Sequence, residues 1–254
     1  MTDLLLSARE GRLLRLTLNR LAKRNALDAA LCRRLVDALD AASADPSVGA
    51  ILLTANGTVF CAGMDLAEIE QAGDTQEIGH LHEQLFTVSS RLAKPLIAAV
   101  HGAALGGGTG LVANCHIVVA GPQATFGLTE IRLGLWPFLV YRAVEAALGP
   151  RRTLELALTG RTFGPAEARD FALAHELAPD PEARAHQIAR SLADSSPTAV
   201  QTGLDFVQRV KGLDWQAAGV VAQQMRNQVF NSEDFREGLR AFREKRPPEW
   251  PSAR

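Results

Sequence analysis

The sequence carries almost no net charge: 27 Lys and Arg oppose 28 Asp and Glu across 254 residues, with no long basic run. Binding to nucleic acid by phosphate neutralisation is therefore not expected. Cysteine is scarce, and Cys32, Cys61 and Cys115 are odd in number and widely spaced. They suggest neither a disulfide framework nor a zinc site, and they fit a reducing, cytoplasmic setting. The opening MTDLLLSAREGRLL lacks the longer apolar stretch of a signal peptide. Repeats with clear self-similarity and low-complexity tracts are missing as well. The largest gap is again in charge: between Lys94 and Glu130 there is no Asp, Glu, Lys or Arg. Pro122, Asn114, two histidines and many glycines break that segment too often for a lipid-facing helix, so no membrane association is expected. It reads instead as the most buried stretch of a soluble fold.

What remains is a mixed pattern of strands and helices. RLLRLTLN (12–19) alternates like a strand after the turn-like Glu10-Gly11. In residues 27–42, Leu27, Leu31, Leu35 and Leu39 recur four apart, which predicts one face of a helix. GAILLTANG (49–57) reads as a buried strand closed by Asn-Gly, and residues 68–85 as a mobile polar loop entering a helix. PLIAAVHG (95–102) and HIVVAG (116–121) read as further buried strands with a short helix, 107–114, between them. After Pro137 the pattern is helical almost to the end. Ser196-Pro197 has the chemistry of a helix cap and first helical residue, so a core unit is placed at 1–195 and a helical region at 196–254.

The glycines of GAALGGGTGL (102–111) pose the functional question, because such a cluster lets backbone approach something closely. A phosphate-binding Walker loop fails, since Gly108 stands where a lysine is required. Residues 108–113 spell G-x-G-x-x-A, but Glu130 comes nine residues after the second strand's end, too late for the ribose-binding acid of a dinucleotide fold. Close helix–strand packing and an oxyanion hole remain. A helix N-terminus offers free N–H groups to a developing anion, and a hole needs a second donor. Ala62-Gly63-Met64, another tight turn after an apolar run, supplies one.

FCAGMDL, KPLIAAVHGAALGGGTGL and ATFGLTEIRLGLWP together resemble the enoyl-CoA hydratase/isomerase family, the crotonase superfamily. NRLAKRNALD (19–28) is similar to its N-terminal CoA-contacting segment and AFREKRPPEW (241–250) to its C-terminal signature. The resemblance implies an α/β fold, a spiral of ββα turns with a C-terminal helical trimerisation region, hence a homotrimer or hexamer. It implies the backbone N–H groups of Met64 and Gly107 as the oxyanion hole for an acyl-CoA thioester and Glu130 as the proton carrier. For CoA and substrate it implies Ala22, Lys23, Arg24 and Ala26, then Ala62, Asp65, Leu66 and Gly106, with Trp136 at the acyl group. Asp65 fits a helix cap better than a ligand contact. Lys245, with Arg246, is placed to reach a neighbouring subunit's CoA phosphates. No cofactor is implied beyond the coenzyme A of the substrate.

Two departures from the family pattern bear on the chemistry. Family hydratases pair two glutamates, and here the first position is Gly110 while the second is Glu130. Hydration needs an oriented water, which two carboxylates hold well. Moving a double bond needs one base, so isomerisation is the leading expectation. Hydration, decarboxylation and a non-catalytic CoA-binding role are the alternatives, and Gly110→Glu is expected to introduce hydration. Glu130 ends the charge-free segment, so its pKa should rise by desolvation, unless it pairs with Arg132. The family's LGxxPxxGG reads LGLWPFLVYR here, so Trp136, Phe138 and Leu139 should enlarge the pocket wall. His101 and His116 are expected to be structural. Glu68, Glu70 and Asp74 are placed on the loop beside the pocket, and His80 and His82 lack the further ligands of a metal site.

Overall fold

The computed structural model describes residues 3–253. A hairpin opens the chain, with β1 (Leu5–Glu10) antiparallel to β2 (Leu13–Leu18). β1 escapes the sequence pattern because five of its six residues are exposed at a sheet edge. Helix α1 (Ala29–Ala44) follows, capped by the Asp28 carboxylate, which accepts from Leu31 N–H, and it buries Leu31, Leu35 and Leu39 as their spacing predicts.

The next segments repeat one plan. β3 (Ala50–Ala55) leads to the short β4 (Val59–Cys61) and then to helices α2 (Leu66–Gln71) and α3 (Gln76–Phe86). β5 (Leu96–Val100) leads to β6 (Ala103–Leu105) and α4 (Gly107–Ala113). β7 (Ile117–Ala120) leads to β8 (Thr125–Gly127). β3, β5 and β7 are parallel neighbours in a six-stranded sheet ordered β1-β2-β3-β5-β7-β10, the last strand being Glu176–Leu177. β4, β6 and β8 are parallel neighbours in a second sheet, closed by β9 (Thr162–Phe163). Each turn of the chain thus contributes one strand to each sheet, which is the expected spiral.

Helices α5 (Phe138–Leu148), α6 (Pro150–Thr159), α7 (Pro165–Asp170) and α8 (Pro181–Ala193) follow, with β10 (Glu176–Leu177) before α8. Ala185, Ala189 and Ala193 of α8 cover the face of the first sheet formed by Leu13, Leu52, Ile97 and Val119. Parallel strands need cover on both faces, and β5 is buried at every position. The tract 68–85 enters its expected helix, α3, after a non-helical link of only residues 72–75, its start belonging to α2, and β6, β9 and β10 are strands too short to show a period. The region after Pro137 is therefore not uniformly helical. Ser196 caps α9 (Pro197–Arg209) through a bond from Ala199 N–H, and α10 (Trp215–Phe230) and α11 (Glu233–Glu244) complete the chain.

Candidate active site

Three residues far apart in sequence follow three adjacent parallel strands. Met64 stands just past β4, Gly107 just past β6 and Glu130 just past β8. The pairings Cys61 with Ala104 and Leu105 with Gly127 bring those strand ends side by side. Gly63 turns the chain with φ of +95° and lies against the other bend: a Cβ there would sit 2.8 Å from Leu105 O and 3.4 Å from Gly107 N. Leu27 N–H donates to Gly63 O at 2.7 Å, and Leu27 O accepts from Asp65 N–H at 3.0 Å. This pairing straddles Met64 and leaves the Met64 N–H uncommitted. Gly107 opens α4, so its N–H has no helical acceptor. α4 has only seven residues, so the aim of that N–H matters more than the helix dipole. Gly108 provides the close packing, since a Cβ there would meet Cys61 O at 2.3 Å. The glycine run therefore provides close packing and leaves the Gly107 N–H at the opening of α4. Thr109 locks the helix down, its hydroxyl donating to Ala104 O at 2.7 Å and accepting from Gly127 N–H at 3.0 Å.

Glu130 begins a 3-10 turn, Glu130–Leu133, and hangs over Gly106: a Cβ on Gly106 would lie 3.1 Å from Glu130 Oε1. Its Oε2 is enclosed without a hydrogen-bond partner. Burial pushes its pKa above the ordinary carboxylate value, and its own backbone N–H offsets only part of that. No ion pair joins Glu130 to Arg132 or to any other cation among the described residues. A carboxylate held like this is suited to taking and returning a proton, because its ionised form is not stabilised by a fixed partner.

These groups open onto a cavity of about 500 Å³ lined mainly by apolar side chains. Ala62, Met64, Leu66, Gly106, Gly107, Glu130 and Trp136 all line it. Ala22, Lys23, Arg24, Ala26, Asp65 and Lys245 do not. Ala22, Lys23 and Arg24 are exposed on a left-handed turn (Arg24 φ 52°), and Arg24 O accepts from Ala62 N–H at 3.1 Å, which lays that turn along the mouth of the site. Asp65 caps α2 through Ala67 N–H at 3.0 Å and pairs with Arg20 at 2.6 Å. Burial alone would raise its pKa, but Arg20 and the helix N–H groups outweigh it and hold the carboxyl below its usual range. Its carboxylate is thus committed to the protein, as expected for a cap. Lys245 is an exposed left-handed residue ending α11, whereas Arg246 is held by Glu237 at 2.6 Å. Arg246 is committed there, contrary to expectation.

Other expectations change with the helical reading of 68–85. Glu68 does not face substrate; it accepts from Ala29 N–H at 3.0 Å and caps α1 beside Asp28. Asp74 accepts from Gln76 N–H at the start of α3. His80 is exposed and bonded to Gln84, while His82, two residues on, is buried in the cavity wall. His101 bonds Gly57 O at 2.8 Å and His116 accepts from Leu96 N–H at 3.0 Å, so both are structural. The sequence reading missed His82, Phe86 and Val140 as wall residues. The stripe Thr75, Ile78, His82, Phe86, spaced as one face of a helix, is the signal that could have found the first two.

A family model described as enoyl-CoA hydratase/isomerase matches residues 8–253. The chain belongs to that family. It is 37% identical to Enoyl-CoA hydratase EchA19 of Mycobacterium tuberculosis over 94% of this chain and 93% of the relative. It is 35% identical to 2,3-dehydroadipyl-CoA hydratase of Escherichia coli, covering 98% and 99% of the two chains. Among solved structures, enoyl-CoA hydratase from Mycobacterium smegmatis superposes with a TM-score of 0.91 at 30% identity, covering 98% of this chain and 99% of that one. The Bacillus anthracis enoyl-CoA hydratase gives 0.92 at 29% identity, over 98% and 100%.

Within this enoyl-CoA hydratase/isomerase framework the two departures meet in space. A Cβ on Gly110 would lie 2.4 Å from Val140 Cγ1 and 3.3 Å from Phe86 Cε1. Val140, 4% exposed, stands at the first glycine of the family's Gly-Gly pair. The volume freed at one position is filled from the other. A side chain at position 110 therefore requires Val140 to move, so Gly110→Glu alone meets an obstacle that the sequence did not show. Trp136 is half-buried and stacks on Tyr141, with centroids 6.0 Å apart, so the altered segment also stiffens the wall.

Proposed function

We propose that this protein shifts the double bond of an enoyl-CoA thioester, with Glu130 as its one proton carrier. The observation behind this reading is that Val140 fills the place where a second carboxylate would orient water. Substrate binds with its thioester oxygen on the N–H groups of Met64 and Gly107. The Glu130 carboxylate takes the α-proton of a 3-enoyl thioester, and the electron pair spreads into a dienolate whose charge rests on that oxygen. Glu130 then returns the same proton to the γ-carbon, giving the 2-enoyl thioester with no net change in atoms. Fixed donors aimed at charge that develops only during reaction lower the barrier preferentially.

The CoA body lies along Ala22, Lys23, Arg24 and Ala26, and its pantetheine passes Ala62 and Leu66. Lys23 and Arg24, exposed and free of ion pairs among the described residues, suit its phosphates. The assembly is a homotrimer or a dimer of trimers in which Lys245 reaches a neighbour's CoA. Hydration is the second reading, favoured by the printed names of the relatives.

A panel of 2-enoyl, 3-enoyl and malonyl-type thioesters, followed by product identity, tests this. Conversion of 3-enoyl to 2-enoyl thioesters is expected, and Glu130→Gln should lower its kcat by about 10²–10⁴-fold while CoA is still bound. Hydration alone would favour the second reading, decarboxylation a third, and CoA binding without turnover a non-catalytic role.

A further inference from the structure

Besides Glu130, His82 is the one ionisable side chain among the described residues that line the cavity. It is 4% exposed, yet its Nε2 is enclosed without a hydrogen-bond partner. Buried polar atoms are rarely left so, and an unpaired one in a cavity wall points to a ligand that completes it. The Leu27 backbone lies beside the same ring, and burial lowers the ring's pKa, which favours the neutral imidazole. Nε2 is therefore left to a group that the protein itself does not supply.

Its location is equally defined. Leu27 is the residue whose backbone brackets Met64, so the imidazole is anchored to the turn that offers the Met64 amide. One helical turn further along α3, the Phe86 ring lies 5.9 Å from the His82 ring, and its Cζ is 3.2 Å from a Cβ built on Gly107. Ile78 lines the wall one turn the other way. Nε2 is thus an isolated polar atom in an apolar stripe beside the hole.

We propose that His82 is a specificity-determining residue that reads a hydroxyl group on the acyl chain, its Nε2 hydrogen-bonding that hydroxyl. The inference rests on the cavity holding the acyl part of a CoA thioester, as proposed above. A plain hydrocarbon chain covers Nε2 and leaves it unpaired, whereas a hydroxyl at the right carbon pairs it. Sites built to bond a hydroxyl reject the analogue lacking it strongly, because their own polar group is then stranded.

The test is calorimetric titration of the full-length protein with short saturated acyl-CoA thioesters that carry a hydroxyl at successive carbons. Each is compared with the same chain lacking it. One position of the hydroxyl is expected to bind about ten- to hundred-fold tighter. His82→Leu should bring that ratio close to one. His82→Asn keeps a shorter polar side chain but removes Nε2, and it should do the same. The readout is a ratio within each variant, so a general loss of affinity cancels. No preference in the wild type, or a preference that survives both substitutions, overturns the proposal. An equal weakening of every CoA ligand overturns it as well, since it assigns Nε2 to the pantetheine amides or to structure alone. Failure of the wild type to bind any acyl-CoA strikes instead at the function proposed above, and takes this inference with it.

Discussion

Glu130 has no cation to stabilise its charge, and this has two consequences of opposite value. For chemistry, a carboxylate with a raised pKa is a stronger base, which helps it take the α-proton from carbon. For folding, a pKa raised above the unfolded value of about 4.3 contributes stability only below that value. The contribution is lost as pH rises through the folded pKa. At neutral pH the ionised Glu130 is therefore a liability, and Glu130→Gln should raise Tm there while abolishing isomerisation. The Tm gain should shrink as the pH falls through the raised folded pKa and be gone below about 4, where both residues are neutral. Turnover of the wild type should rise with pH along a limb displaced above the ordinary carboxylate range. Differential scanning calorimetry across pH checks the first, and kcat against pH the second. A Tm gain that does not vary with pH would mean that the glutamine acts through packing.

At the scale of elements, the site is a consequence of strand pairing. The separations 64 to 107 to 130 vanish because β4, β6 and β8 are parallel neighbours whose C-terminal ends all face one crevice. The bends were legible in the sequence because glycines mark close approach: Gly63 against Leu105, Gly108 against Cys61. β6 itself was not legible, since three residues between glycines carry no period. The helix α3 was expected, but its start was not legible because its first turn is polar and its apolar face shows only against α1 and α5, which pack on it. For the same reason the partner of Gly110 was invisible: Val140 stands thirty positions away on α5, and sequence alone does not say that the two touch. The contact makes a specific forecast. Gly110→Glu alone should be destabilising by about 1–3 kcal/mol through overpacking, and should gain no hydration. Combined with Val140→Gly, which restores the family's small residue, most of that loss should be recovered and hydration of 2-enoyl thioesters should appear. Urea denaturation and a product assay read the two effects separately. Stability recovered without hydration would show that a second carboxylate is not what the hydratase reaction lacks here.

Across the whole molecule, the C-terminal helices are folded back on their own origin more than on the spiral. Ser196, the cap of α9, donates to Asp234 at 2.6 Å, Ser252 N–H donates to the same carboxylate at 3.0 Å, and Trp250 Nε1 donates to Asp194 O at 2.8 Å. Glu237, buried between Arg240 and Arg246, ties the tail to α11, and its pKa is held far below the usual range chiefly by Arg246. The helices themselves bury little. α9 has no buried residue and α10 only Met225, while Trp215 is 96% and Phe242 84% exposed, with Val207, Val220 and Leu239 also open. Phe138, Leu154 and Leu158 on α5 and α6 add to the exposed apolar set. This much exposed apolar side chain on helices that bury so little marks an association surface. Sedimentation equilibrium should therefore give about three or six times the 27.3 kDa chain mass. Substituting Val220→Asp together with Phe242→Asp should shift the mass towards that of one chain. If Lys245 completes a neighbour's CoA site, the same double variant should also bind CoA more weakly, although neither residue lines the cavity. A wild-type protein that sediments as a single chain would leave Lys245 with no neighbour to serve. A dissociated variant with undiminished CoA affinity would place the whole phosphate site on one subunit, with Lys23 and Arg24.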